Sequence, residues 1–227
     1  MMLPIREVLT GDALARCRQL VSGARWGDGR MTAGTQSEQT KNNLQLPEDS
    51  PEGREAAALV LDALSKNALF FTAALPKRIF PPLFNCYTGT MNAFGNHVDN
   101  AIRTDRLSGN RIRTDLSATL FLSAPDEYDG GELVVEDHGG LQSVKLSAGD
   151  LILYPATTVH RVEPVTRGAR IASFFWIESM VRENDRRRQL FDLDMAILEL
   201  RNSVGDTPTV VKLTGCYHNL LRMWADA

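Results

Sequence analysis

Leu151-Ile152-Leu153-Tyr154-Pro155, then His160-Arg161-Val162, then Glu163-Pro164, and finally Arg170-Ile171-Ala172-Ser173-Phe174-Phe175-Trp176-Ile177 make up the stretch whose reading decides the fold. These are short runs of apolar, β-branched and aromatic residues broken by Pro and Gly, which is how strands read. In the last run Arg170, Ala172, Phe174 and Trp176 fall on one face, and Ile171, Ser173, Phe175 and Ile177 on the other. Both faces are largely apolar. The strand is therefore expected to be covered on both sides, by the interior of a β structure and by a helix such as 51–69.

The same texture extends outward over about 84–177. Asp129-Gly130-Gly131, His138-Gly139-Gly140, Ala148-Gly149-Asp150 and Arg167-Gly168 are turn signals between apolar runs at 116–122, 133–136, 144–146, 151–154 and 170–177. Strands so closely spaced predict a sandwich, jelly roll or barrel. His138 stands at a hairpin tip rather than among ligands.

The flanks read as helices. Thr10-Gly11-Asp12 can cap a helix to about residue 22, with Leu14, Cys17, Leu20 and Val21 at helical spacing. Residues 26–51 are rich in Gly, Thr, Gln, Asn and Ser and read as a loop that crosses the surface or rims a pocket. A second helix starts after Ser50-Pro51, where an early proline is well tolerated. Residues 183–201 put Leu190, Leu193, Ile197 and Leu200 on one stripe, and Arg186, Arg187 and Arg188 read as its solvated face rather than a polyanion site. A short last helix over 218–225 follows the Gly215 break. The expected organisation is mostly β with flanking helices: N-terminal helices and a rim loop over 1–83, a chemistry-bearing core over 84–178, and a helical extension over 179–227.

At 227 residues, 43% hydrophobic and 23% charged, the chain has ordinary globular composition and room for one principal core. A net charge of −3 without long basic stretches argues against a nucleic-acid partner. The start, Met1-Met2-Leu3-Pro4-Ile5-Arg6-Glu7, lacks the apolar core of a signal peptide, and no run of about 18 apolar residues offers a membrane span. Cys17, Cys86 and Cys216 are odd in number with no CxxC spacing, and read as buried thiols in a reducing cytoplasm.

His97-Val98-Asp99 places two potential metal ligands on one side of an extended chain. Alone, such a pair fits a solvated loop as well as a metal. His160, at the end of an apolar strand and its short link, supplies a second imidazole, although a lone histidine also serves as a core residue bonded to backbone. Two imidazoles and a carboxylate make the facial triad that holds non-haem Fe(II) with adjacent positions open. Arg170 follows His160 through what reads as strand, turn and strand, so a hairpin would return it toward His160, where a guanidinium could clamp a carboxylate in a bidentate manner. An ion pair with Asp or Glu on a neighbouring strand is the alternative for this arginine.

Beyond these residues the chain resembles a known family, the iron- and 2-oxoglutarate-dependent oxygenases of prolyl-4-hydroxylase type, and within it the bacterial PKHD-type hydroxylases. The resemblance is carried by Phe84-Asn85-Cys86-Tyr87-Thr88-Gly89, His97-Val98-Asp99, Asp129-Gly130-Gly131-Glu132-Leu133, Ala148-Gly149-Asp150 with the strand after it, His160-Arg161-Val162, and Val165-Thr166-Arg167-Gly168-Ala169-Arg170-Ile171-Ala172-Ser173. Lys41-Asn42-Asn43 and the C-terminal helices also look like that subgroup. The resemblance implies a double-stranded β-helix core of jelly-roll or cupin type. It implies Fe(II) on His97, Asp99 and His160, Arg170 on the distal carboxylate of 2-oxoglutarate, and ascorbate (vitamin C) as reductant. Tyr87 matches by position a tyrosine that contacts that carboxylate in relatives; core packing is its alternative. Many prolyl hydroxylases have Lys where this chain has Arg170, a difference that keeps the charge and fits the PKHD subgroup.

The implied reaction is a dioxygenase hydroxylation that releases succinate and CO2. Two other classes compete: a non-catalytic binding or sensor barrel of the same fold, which predicts a broken triad, and a zinc hydrolase, for which HExxH and a general-base glutamate beside a ligand are missing. Protein, peptide and small molecule stay open as substrates, and so does self-association as a homo-oligomer. No membrane partner is expected.

Overall fold

The computed structural model describes residues 1–32, 39–137 and 139–226; His138 and part of the expected rim loop lie outside the described residues. In chain order the elements are β1 (Leu3–Ile5), α1 (Gly11–Gly23), β2 (Gly27–Asp28), β3 (Lys41–Asn42), β4 (Leu44–Gln45), α2 (Pro51–Ser65), α3 (Ala68–Ala74), β5 (Pro76–Ile79), β6 (Leu83–Thr88), β7 (Ala93–His97), β8 (Ile102–Thr104), β9 (Arg111–Arg113), β10 (Leu116–Phe121), β11 (Tyr128–Gly130), β12 (Leu133–Asp137), β13 (Gly140–Val144), β14 (Leu151–Pro155), β15 (His160–Val162), β16 (Val165–Ser179), α4 (Asn184–Val204) and α5 (Pro208–Trp224).

A major sheet runs β1-β14-β10-β16-β6-β4-β2, with β5 and β11 also pairing to β16; a minor sheet runs β13-β12-β15-β7-β3. Together they form the jelly roll. Alternation along the strands explains both layers. On β10, Leu116, Ala118 and Leu120 pack with Phe175 and Ile177 of β16 against α1, α2 and α3 through Cys17, Leu20, Ala56, Val60 and Phe70. The opposite face of the major sheet sends Tyr87, Phe121, Ile152 and Tyr154 inward to meet Leu133, Val135, Val144 and Val162 of the minor sheet. The two-faced reading of β16 therefore holds, with helices on one side and the sandwich interior on the other.

The expected hairpin between His160 and Arg170 does not form. β15 pairs with β7 and β12 in the minor sheet, whereas β16 pairs with β6 and β10 in the major one. With both edges of β15 taken, β16 has no place beside it, and the chain crosses between sheets at Pro164, which has no N–H to give to a ladder. Arg170 thus approaches His160 across the sandwich, not along a turn.

Other expectations shift for local reasons. The second helix is two helices bent by 86°, because Asn67 caps the new start by accepting from Phe70 N. The last helix runs Pro208–Trp224 straight through Gly215: Thr207 accepts from Val210 N and Pro208 opens the first turn, and an interior glycine costs only about 1 kcal/mol. Arg187 is not solvated. It is 3% exposed, donates to Val181 O at 2.7 Å and to Asn184 Oδ1, and burial pushes its pKa down to about 10. Cys17 and Cys86 are buried as expected, but Cys216 is exposed. The 26–51 stretch is more than rim: β3 and β4 join one sheet each, and Lys41, Asn43 and Gln45 are buried. No single helix among the described residues is long and apolar enough to cross a membrane.

Gly131 has φ +69°, and a Cβ there would lie 2.8 Å from Val165 Cγ2 and 3.1 Å from Arg170 Cδ. The Asp-Gly-Gly turn is thus fitted against the stem of Arg170. Gly131→Ala is expected to lower stability by about 1–3 kcal/mol through left-handed strain and overpacking, read as a drop in the denaturation midpoint.

Candidate metal and co-substrate site

His97 closes β7 and His160 opens β15, and the antiparallel register sets them opposite one another. Their rings lie 4.2 Å apart between centroids. Asp99 follows β7 by two residues and turns to the same side, with Oδ2 3.7 Å from His160 Nε2. One donor atom from each of the three falls within 4.8 Å of the others, and no other such group occurs among the described residues. Donors that share a cation at about 2 Å need little adjustment from that spacing.

Neighbours aim these groups. His97 Nδ1 meets Gly95 O at 2.9 Å and His160 Nδ1 meets Thr158 O at 3.1 Å. A carbonyl only accepts, so each Nδ1 carries the proton and each Nε2 keeps its lone pair for a metal. His97 stacks on Phe94 at 3.6 Å, and Tyr154 stands edge-on to His160 at 5.2 Å. Burial, and then the proximity of His160, push the His97 pKa down to about 4, so the imidazole is neutral. Ser117 Oγ donates to Asp99 Oδ2 at 2.5 Å.

Arg170 lies deeper in the same cavity, 1% exposed. Its guanidinium carbon is 5.3 Å from the Tyr87 ring centroid and 5.1 Å from that of Phe121. Tyr87 is its cross-strand partner on β6. Among the described residues no carboxylate forms an ion pair with Arg170, which removes the alternative of a neighbouring Asp or Glu, and its Nε and Nη1 have no hydrogen-bond partner. A buried cation with open donors is costly unless an anion fills the place. The residues thus fit both groups: a cation on three neutral or anionic donors and a dicarboxylate between that cation and Arg170. Tyr87 is fully buried and its pKa is raised by burial, with Arg170 acting the other way, so the phenol keeps its proton. It lines the cavity while also packing in the inner core.

Several lining residues were not foreseen. Ser117 could have been placed on the inward face of its strand by alternation, but nothing in sequence links it to Asp99. Lys41, Asn43 and Arg103 reach the cavity only because β3 pairs with β7 and because Arg103 folds back over Trp176.

Comparison with known proteins identifies the family. The 2OG-Fe(II) oxygenase superfamily matches residues 82–178, and the PKHD-type hydroxylase C-terminal domain matches 184–226. A PKHD-type hydroxylase of Xanthomonas campestris pv. campestris (strain B100) is 60% identical over 228 residues, covering 100% of each chain. One from Variovorax paradoxus (strain S110) is 57% identical over 227 residues, again covering 100% of each. Among solved structures, a Pseudomonas putida prolyl-4-hydroxylase matches with TM-score 0.52 and 18% identity over 78% of this chain and 92% of that one. A Trichoplax adhaerens prolyl hydroxylase, in complex with a hypoxia inducible factor peptide fragment, gives TM-score 0.58 and 13% identity over 83% and 86%. These two likenesses establish the shared fold. The full-length relatives establish more: the chain belongs to the 2OG-Fe(II) oxygenase superfamily, within its PKHD-type hydroxylases, and is a dioxygenase that uses Fe(II) and 2-oxoglutarate.

Proposed function

We propose that His97, Asp99 and His160 hold the Fe(II), that Arg170 receives the distal carboxylate of 2-oxoglutarate with Tyr87 packed against it, and that the remaining cavity presents a substrate C–H for hydroxylation. The observation that carries this reading is the buried Arg170 guanidinium, with open donors, in one cavity with the three metal-type side chains. When bound, the metal and co-substrate supply the oxidising chemistry, in which O2 is consumed, 2-oxoglutarate becomes succinate and CO2, and the substrate gains a hydroxyl.

The protein's share is orientation and exclusion of water. Gly95 O and Thr158 O fix the two imidazoles in the tautomer that offers Nε2. The Ser117 hydroxyl holds one carboxylate oxygen of Asp99 and so sets the plane of the group. Arg170, with aromatic rings against it, offers a planar fork that matches a carboxylate in a setting of low dielectric. Ascorbate, the reductant carried by the family resemblance, would restore oxidised iron. Three free thiols are consistent with a reducing cytoplasm.

The test is anaerobic addition of Fe(II) and 2-oxoglutarate, which is expected to produce the visible absorption of a metal-bound keto acid, followed by O2, which is expected to yield succinate only with Fe(II) present. Succinate formed equally without Fe(II) would overturn the assignment. Ser117→Ala is expected to weaken Fe(II) binding by roughly 10- to 100-fold, the usual effect of losing a group that orients a metal ligand. Equilibrium dialysis of the folded variant reads this directly.

A further inference from the structure

Resting on the reading just given, we propose that Tyr128 is a positioning residue for 2-oxoglutarate: its buried hydroxyl oxygen accepts from the Arg170 guanidinium and fixes the plane in which that guanidinium meets the distal carboxylate.

The first ground is where the fold puts the phenol. Tyr128 opens β11 and stands opposite Gly168 on β16, two residues before Arg170. Opposed residues share a face of the ladder, and so do residues two apart along a strand, so Tyr128 and Arg170 form a diagonal pair. The Cβ atoms of such a pair lie about 7–8 Å apart, within reach of an aromatic and a long side chain. Gly131 brings them closer. A Cβ there would meet Tyr128 Cε2 at 3.0 Å and Arg170 Cδ at 3.1 Å, so the bare glycine is what lets the ring edge and the arginine stem close on the same spot. Lys145 steadies the ring, with its ammonium 4.1 Å from the ring centroid and a 2.8 Å hydrogen bond to the Tyr128 carbonyl oxygen.

The second ground is the polar atoms. Tyr128 is 0% exposed and its hydroxyl closes no hydrogen bond of normal geometry, and Nε and Nη1 of Arg170 are in the same condition. Hydroxyls so deeply buried are normally paired, so orphan atoms of complementary character on two neighbouring side chains call for a common explanation. A guanidinium has five N–H donors, of which a bidentate carboxylate uses two. Those left over need acceptors where water is excluded, and the Tyr128 oxygen is placed to be one.

Tyr87 plays a different part. Burial raises the pKa of both phenols and the charge of Arg170 opposes it in both, but the further contact that lowers the Tyr87 pKa is with Asn43, whereas for Tyr128 it is with the Arg170 guanidinium itself. Both phenols keep their protons. The effect of Tyr128 on the co-substrate is then selective: an acceptor at the edge of the guanidinium limits its rotation and presents the fork in the plane that a carboxylate needs. The keto acid end, which belongs to the metal on the other wall, does not sense that plane.

The test uses the whole chain in its anaerobic Fe(II) form and compares 2-oxoglutarate with 2-oxopentanoate, which has the same carbon chain and keto acid but lacks the distal carboxylate. Each is titrated by the visible band of its chelate. Tyr128→Phe, which keeps the ring and removes only the hydroxyl, is expected to weaken 2-oxoglutarate roughly tenfold or more, the usual loss for one hydrogen bond to a charged group. Its affinity for 2-oxopentanoate should stay as in the parent. In an Arg170→Ala background the same change should cost nothing further, because the group it orients is gone. Lys145→Met leaves the hydroxyl in place but frees the ring, and is expected to lower the preference for 2-oxoglutarate over 2-oxopentanoate severalfold; it carries the test by itself if Tyr128→Phe does not fold. An unchanged preference in the folded variants overturns the proposal. So does an equal loss for both ligands, the mark of a hydroxyl that merely packs the core, and so does a full additional loss in the Arg170→Ala background. Failure of the underlying site reading gives a different signature, an Arg170→Ala protein whose 2-oxoglutarate affinity is unchanged.

Discussion

Arg170→Ala is expected to leave Fe(II) bound and to weaken 2-oxoglutarate by roughly 30- to several thousand-fold, the equivalent of about 2–5 kcal/mol for the loss of a buried charge partner. The metal-type donors lie on β7, β15 and the residue pair after β7, so none of them is removed. What is lost is a fully buried guanidinium with open donors in the cavity. Arg170→Lys should lose less, because the charge stays while the planar fork goes. Titration of 2-oxoglutarate into the anaerobic Fe(II) form, followed by the visible band of the chelate, measures both. Unchanged affinity in a folded, iron-loaded Arg170→Ala protein would mean that the co-substrate is anchored elsewhere.

Alanine at His97, Asp99 or His160 is expected to abolish Fe(II)-dependent succinate formation. Each position supplies one of three donors, and no second cluster of His, Cys, Asp or Glu among the described residues could replace it. The Asp99 variant also frees the Ser117 hydroxyl from its acceptor. Circular dichroism separates folded from unfolded variants, and succinate is assayed on the folded ones. Near-parental turnover in any of the three would remove that residue from the metal site.

Much of this site was legible in sequence because it depends on residue type and on the period of two. His97 and Asp99 share a side in an extended chain, and Arg170 stands on an inward face, whichever strand lies next to it. The route between His160 and Arg170 was not legible. Pro164 and Gly168 suit a tight turn as well as a crossing, and the choice is made by β7 and β12, which occupy both edges of β15. Lys41 and Asn43 were hidden for a related reason: polar residues in a stretch with few apolar anchors read as surface until β3 and β4 find partners. Arg187 reads as part of a solvated face in sequence because its buried role includes donating to Val181 O, a main-chain acceptor that leaves no trace in side-chain pattern. The unbroken α5 shows a weak local cost at Gly215 overruled by capping at Thr207 and by packing of Val210 and Tyr217 with Leu190 and Ile197.

The crossing at Pro164 makes His160 and Arg170, ten residues apart, belong to opposite walls of the sandwich. On the proposed reading, a dicarboxylate held by iron at one end and by Arg170 at the other would be a tie-rod between the two sheets, its length setting their permitted separation. Breathing of the sandwich and escape of the co-substrate become the same motion. Loading should therefore slow amide exchange in β15 and β16 together, and at 2-oxoglutarate concentrations of about 100 Kd it should add about 2.7 kcal/mol of stability that neither sheet has alone.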